Sequence, residues 1–152
     1  MPPGLTLREQ IYRDMMAALA TITTANGYAT DIGTLTRGML APMETSVLPT
    51  ASLLPVQDVP EYGAQTLRRQ LTCTVRVWVD VAVNDTAPTL EALVGDVQQA
   101  LEVDTSRSGL AEVTLEGPVQ YLYLQSTETL SGADIAWEVH YKTALTTPRV
   151  GV

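Results

Sequence analysis

The chain has 152 residues, 45% hydrophobic and 17% charged, a composition that fits one domain able to bury a core. Seventeen acidic residues against nine basic ones leave a formal charge of −8, which lacks the dense Lys/Arg footprint that grips phosphates, so no specific nucleic-acid binding is expected. No apolar run approaches the roughly 20 residues needed to cross a bilayer, and Met1-Pro2-Pro3-Gly4 has neither a basic nor an apolar leader character, so synthesis in the cytosol and no membrane partner are expected.

Thr6-Leu7-Arg8-Glu9 has the form of a capping box, in which the threonine takes the Glu9 N–H and the glutamate reaches back. A helix is predicted from there, with Ile11, Met15, Leu19 and Ile22 on one stripe, Tyr12 and Met16 widening it, and Asn26-Gly27 as its left-handed stop. Tyr28 to Thr36 is rich in β-branched residues and reads as a short strand. Between Arg37 and Pro60, four prolines interrupt a segment that still carries Met39, Leu40, Met43, Val47, Leu48, Leu53, Leu54 and Val56. Such an apolar loop either folds back on the core or docks on a partner, and a short strand is predicted through Leu53 to Val59. Glu61 to Gln70 leads into the next strand or forms its protruding start.

The strongest signal follows. Leu71, Cys73, Val75, Val77, Val79, Val81 and Val83 are apolar while Thr72, Thr74, Arg76, Trp78 and Asp80 alternate with them. Side chains repeat every two residues in a strand, so this is one strand of about 40 Å, longer than one small core needs. Its second face is expected to meet something else, in so short a chain another subunit. Cys73, the single cysteine, lies on the apolar face and is expected to be a buried small hydrophobe.

Asn84-Asp85-Thr86-Ala87-Pro88 combines turn residues, an N-cap candidate and a proline suited to a first helical turn. The second helix should bury Leu90, Leu93, Val94, Val97 and Leu101 and turn Glu91, Asp96, Gln98 and Gln99 to water, with Gly95 allowing close packing. Val103 to Ala111 reads as a loop. Two strands end the chain, Glu112 to Glu128, broken near Gly117-Pro118, and Asp134 to Leu145, joined by a turn at Leu130 to Ala133. Ile135, Trp137, Val139 and Tyr141 alternate with Ala136, Glu138, His140 and Lys142. The predicted class is therefore α+β: a mostly antiparallel sheet with two helices packed on one face, in one domain spanning 1–152, with 1–5 and 147–152 as tails.

Chemistry-bearing patterns are sparse. Ser-His-Asp or Cys-His catalysis would need His140, the one histidine, and no G-x-S-x-G elbow precedes it. There is no Gly-Lys pair for a phosphate loop and no G-x-G-x-x-G, and the acidic residues follow no EF-hand pattern. No enzyme, no cofactor and no metal are expected. The interface candidates are Met39, Leu40, Met43, Leu48 and Leu53 of the apolar loop, and Arg68, Arg69, Arg76, Trp78 and Asp80. Tryptophan and arginine are the types that anchor interfaces, although Arg76, Trp78 and Asp80 also suit an ordinary cross-strand ladder. Arg68-Arg69 is either solvated or meets an acidic residue such as Glu102 or Asp104 of an adjacent copy.

The helix ending Asn26-Gly27-Tyr28, the Thr30-Asp31-Ile32-Gly33 phrase, Leu54-Pro55, the valine-rich strand, the Leu90-Glu91-Ala92-Leu93 to Ala100-Leu101 helix and the closing His140-Tyr141-Lys142 together resemble small tail terminator proteins of long-tailed bacteriophages, also called minor tail or tail completion proteins. The resemblance lies in element order and short phrases over most of the chain. It implies an α+β fold, a hexameric ring that caps the finished tail tube at the head-proximal end of the virion's tail, and a surface that then joins the head-tail connector or neck protein. DNA would pass through the lumen of such a ring, and a carboxylate lining would repel it and let it slide. A connector or adaptor of the neck shares the general layout, and a small-molecule-binding domain is the alternative from another class.

Overall fold

The computed structural model describes residues 4–38, 47–80, 86–123, 130–144 and 147–151. Its elements run α1 (Leu7–Ala20), β1 (Thr34–Arg37), β2 (Thr50–Tyr62), β3 (Thr66–Asp80), α2 (Thr86–Glu102), β4 (Val113–Tyr123), β5 (Leu130–Ala144) and β6 (Thr147–Gly151). The sheet order is β1-β2-β3-β5-β4, with β6 also pairing β5. Every pairing is antiparallel except β1 with β2. Strand β5 lies between β3 and β4, so α2 makes the crossover of a split β-α-β unit.

Both helices pack on one face of this sheet, as the α+β reading expects. Leu71, Cys73, Val75 and Val77 of β3 stand beside Val139, Trp137, Ile135 and Ala133 of β5 and, all fully or almost fully buried, receive Ile11, Met15 and Leu19 of α1 and Leu93, Val97 and Leu101 of α2. The predicted stripes of both helices are thus the core. Thr6 caps α1, its Oγ1 accepting from Glu9 N at 3.1 Å. Glu9 does not reach back, because its carboxylate takes Arg37 Nη1 at 2.8 Å and Arg13 Nε at 3.2 Å instead.

Several boundaries differ from the sequence reading, each for a tertiary reason. Helix α1 stops at Ala20, and Gly27, with φ +89°, closes a separate 3-10 turn over Thr24–Asn26. The strand predicted over Tyr28 to Thr36 shrinks to Thr34–Arg37, because Ala29 and Thr30 give their N–H groups to the Asp96 carboxylate at 3.1 and 2.8 Å rather than to a ladder. Asp96 is accordingly buried, 5% exposed, and not turned to water. Gly95 is not a close-packing site, since a Cβ there would meet nothing within 4 Å.

The strand predicted at Leu53 to Val59 grows to thirteen residues in β2, which absorbs Pro55 and Pro60 at a bulge and an edge. The long strand runs from Thr66 rather than Leu71, and Val81 to Val83 lie outside the described residues. The turn placed at Leu130 to Ala133 is the start of β5, where Gly132 lies directly opposite Trp78. Thr147–Gly151, expected as a tail, pairs with β5 as β6.

Loop 103–111 is a loop as predicted, but Arg107 within it is buried, 1% exposed. Its Nη2 donates to the Leu101 carbonyl at 2.6 Å and to that of Asp104, which places a cation at the C-terminal end of α2, where the helix dipole favours one. Burial holds its guanidinium below the ordinary arginine range.

Candidate functional site

The helices fill one sheet face, so the surfaces left for partners are the opposite face, the strand edges and the β2–β3 hairpin. Strand β1 ends at Arg37, opposite Leu53, so among the described residues no strand lies beside the β2 edge from Leu54 to Tyr62. A bare edge invites strand addition. Here it is blocked. Gly38 donates to the Leu53 carbonyl at 3.0 Å, so Leu53 and, by alternation, Pro55 direct their backbone groups away from β3. Beyond the bulge Gly63 donates to the Thr66 carbonyl at 3.0 Å, which fixes residue 63 as facing β3 and Pro60 as facing outward. Both prolines therefore occupy positions where a missing N–H costs no ladder bond and denies one to an incoming strand.

What this arm offers is side chains. Tyr62 is 77% exposed and Val56 60%, with Val59 also exposed. On the helix-free face Arg68 lies opposite Lys142 and Gln70 opposite His140. A surface cleft of about 300 Å³ opens between Val59, Glu61, Arg68, Gln70 and His140, and a second of about 180 Å³ adjoins it between Tyr62, Thr66 and Lys142.

Lys142 Nζ meets Glu112 at 2.9 Å, and this contact holds the Glu112 carboxyl below the usual range. Arg68 Nε approaches the same carboxylate only to 3.8 Å. On the helix side Asp58 anchors the arm to the body: Arg8 of α1 donates to it at 2.9 Å, Tyr141 donates its hydroxyl, and Arg69 lies at 3.7 Å. Burial first, then the bond to Asp58, pushes the Tyr141 hydroxyl pKa up.

The sequence-predicted interface residues fall in different places. Met39, Leu40 and Met43 lie outside the described residues. Leu48 is half-buried, and Leu53 is fully buried in the core, so Leu53 has no surface to offer a partner. Arg68 and Arg69 both border the hairpin cleft. Eight residues along β3, roughly 26 Å away, Arg76 donates to Asp134 from Nε at 2.7 Å and from Nη2 at 2.8 Å, a two-point cross-strand ion pair. Trp78 is 6% exposed, its ring against Gly132, and is not an exposed anchor; Asp80 is half-buried at the strand end.

Sequence reasoning missed Val59, His140 and Lys142 as one surface, with Tyr62 bordering the adjoining cleft. The signal in the sequence is the proline pair, which marks β2 as an edge once its pairing is known.

A second surface lies at the opposite edge, on the helix side of β4. Glu116 stands opposite Trp137 and accepts from Gln98 of α2; Glu91 accepts from the Tyr121 hydroxyl. Glu102, next to Glu116, has its carboxyl raised above the ordinary range by that neighbour. Among the described residues no Lys, Arg or His forms an ion pair with these three glutamates.

Among the described residues no cluster of three or more His, Cys, Asp or Glu is placed to hold a metal ion, and no helix is long and apolar enough to cross a membrane. The lone His140 sits beside Glu138 at 2.5 Å on the helix-free face. The described residues thus form an α+β sandwich of one sheet and two helices, with differentiated surfaces at the hairpin arm and the β4 edge. No protein-family model matches the chain, and no curated protein matches it in sequence.

Proposed function

We propose that this chain is a structural subunit of a bacteriophage tail terminator: it closes into a ring of six copies on the end of the tail tube, stops tube growth, and presents the surface that the head-tail connector joins. The observation that carries the reading is the hairpin arm, an edge-blocked extension with Val56, Val59 and Tyr62 exposed at residues that the chain's own helices do not cover. By register Val59 shares the face of Gln70 and Tyr62 that of Leu67, so both faces of the arm carry an exposed apolar side chain, and an arm that cannot add strands is suited to docking by side-chain contact. The resemblance to tail terminators in element order and short phrases supports this role, and so does the formal charge of −8, which would repel DNA passing through a ring. In this role the protein is not catalytic, needs no cofactor, and resides at the head-proximal end of the tail.

The test is the mass of the purified chain by light scattering, with negative-stain images at the same concentration, alone and after mixing with tail tubes. Ring particles near six chains, or rings seated on tube ends, support the reading. Tyr62→Asp is the variant of choice, since its side chain is exposed and its loss spares the core. Trp78→Ala is unsuitable because it would empty a buried site. A wild-type chain that stays monomeric and binds no tail tube refutes the reading. Binding to a portal-side adaptor in place of the tube would move the protein to the neck connectors.

A further inference from the structure

We propose that Arg68 and Lys142, beside the hairpin cleft, dock on Glu102 and Glu116 at the α2–β4 edge of a second copy of this chain, in a head-to-tail contact that repeats around the ring. This inference rests on the ring reading and names the surfaces that close it.

The charge is unevenly distributed. Arg8, Arg68, Arg69 and Lys142 at the arm balance Asp58, Glu61, Glu112 and Glu138 around them, so the whole formal charge of −8 lies elsewhere on the chain. Along the α2–β4 edge Glu91, Glu102 and Glu116 have no cation paired with them among the described residues, and a hydrogen bond between Glu102 and Glu116 holds the Glu102 proton more tightly. Arg68 lies 3.8 Å from its nearest carboxylate, beyond hydrogen-bond reach, which leaves a guanidinium fork to meet a pair of carboxylates.

Each surface also has an exposed apolar component: Val59, which shares the face of Gln70, lines the cleft, while Val103 follows Glu102 at the end of α2 and Tyr121 bonds Glu91 further along the same edge. Register fixes the geometry. Arg68 and Lys142 stand on the helix-free face, whereas Glu116, opposite the buried Trp137, stands on the helix face at the other edge of the sheet. Two different patches on opposite faces of one chain make a heterologous contact, the kind that generates a ring when its rotation closes. Contact between them would bury both charged sets and give the Glu102–Glu116 pair a cationic partner.

The experiment is charge reversal in the full chain, read by sedimentation equilibrium over a concentration series at low salt. Arg68→Glu with Lys142→Glu reverses the arm, and Glu102→Lys with Glu116→Lys reverses the edge. All four side chains are on the surface, and circular dichroism checks that each variant is folded. Each variant alone should associate roughly tenfold or more weakly than wild type. An equimolar mixture of the two should regain the wild-type mass, because every junction in the mixed ring is again complementary. A full-mass ring in both variants, or a mixture that fails to recover, overturns this contact while leaving the ring reading standing. A wild-type chain that is monomeric throughout the series, and stays so on tail tubes, overturns both.

Discussion

Replacing Asp96 tests whether a buried carboxylate on α2, and not strand propensity, shapes the segment before β1. In the native structure it accepts from Ala29 N at 3.1 Å, Thr30 N at 2.8 Å and Thr30 Oγ1 at 2.5 Å, while its own residue is 5% exposed. Hydrogen bonds to a charged acceptor contribute about 1.5–3 kcal/mol each, so three give about 4.5–9 kcal/mol in gross terms. Two effects reduce this for Asp96→Ala: the exposed Ala29 N–H is rehydrated when its partner is lost, and the cost of burying the carboxylate disappears. The expected net loss is about 2–4 kcal/mol, which for a domain of this size lowers Tm by roughly 5–15 °C. Asp96→Asn keeps the shape and one acceptor and should lose about half as much. The assay is urea unfolding followed by far-UV circular dichroism, in salt high enough to keep all variants in the same association state, with amide exchange at Ala29 and Thr30 as the local readout. If Asp96→Ala unfolds within about 0.5 kcal/mol of wild type, or those two amides keep their protection, the assignment of the loop to this carboxylate is wrong.

Three further outcomes are expected. Gly132→Ala would place a Cβ 2.5 Å from the Val77 carbonyl and 2.6 Å from the Trp78 ring, so it should destabilise the chain by about 1–3 kcal/mol and shift tryptophan fluorescence to the red; unchanged emission and stability would contradict the packing. The Glu9 carboxyl is lowered, chiefly by its bond from Arg37, so the stability it contributes is present above its unfolded value near about 4.3 and disappears as pH falls through the lower folded value. Glu9→Gln should accordingly be about 0.5–1 kcal/mol less stable than wild type at pH 7 and equal to it near pH 2, and a gap that does not narrow on acidification would oppose the ion pair. Burial pushes the Cys73 thiol up to about 12, so it should react with a thiol reagent only at the rate of unfolding, and rapid labelling of the native chain would place it elsewhere.

The interior of this protein was legible in its residues because periodicity encodes it directly. The two-residue alternation from Leu71 to Val79 and from Ile135 to Tyr141, and the stripes Ile11-Met15-Leu19 and Leu93-Val97-Leu101, each name one face of one element, and those faces form the core. The α+β class, the helix count and the single helix-covered face followed from the same local repeats. Long-range pairing left no such trace. Asp96 reads as a solvated helix position until Ala29 and Thr30 arrive from 67 and 66 residues away, and Arg107 reads as a loop cation until the end of α2 closes over it.

The candidate surface was half visible. Arg68 and Arg69 were singled out by residue type, but Lys142 and His140 join Arg68 only through the antiparallel register of β3 with β5. The same dependence on register made Pro55 and Pro60 look like breaks in a loop, when they guard the outer edge of a thirteen-residue strand. Sequence alone determined which residues prefer the interior, because hydrophobic patterning is a local property of helix and strand geometry. Tertiary structure alone decided which charges meet, which edges are guarded and which side chains are left for a partner, because those depend on segments brought together from distant parts of the chain.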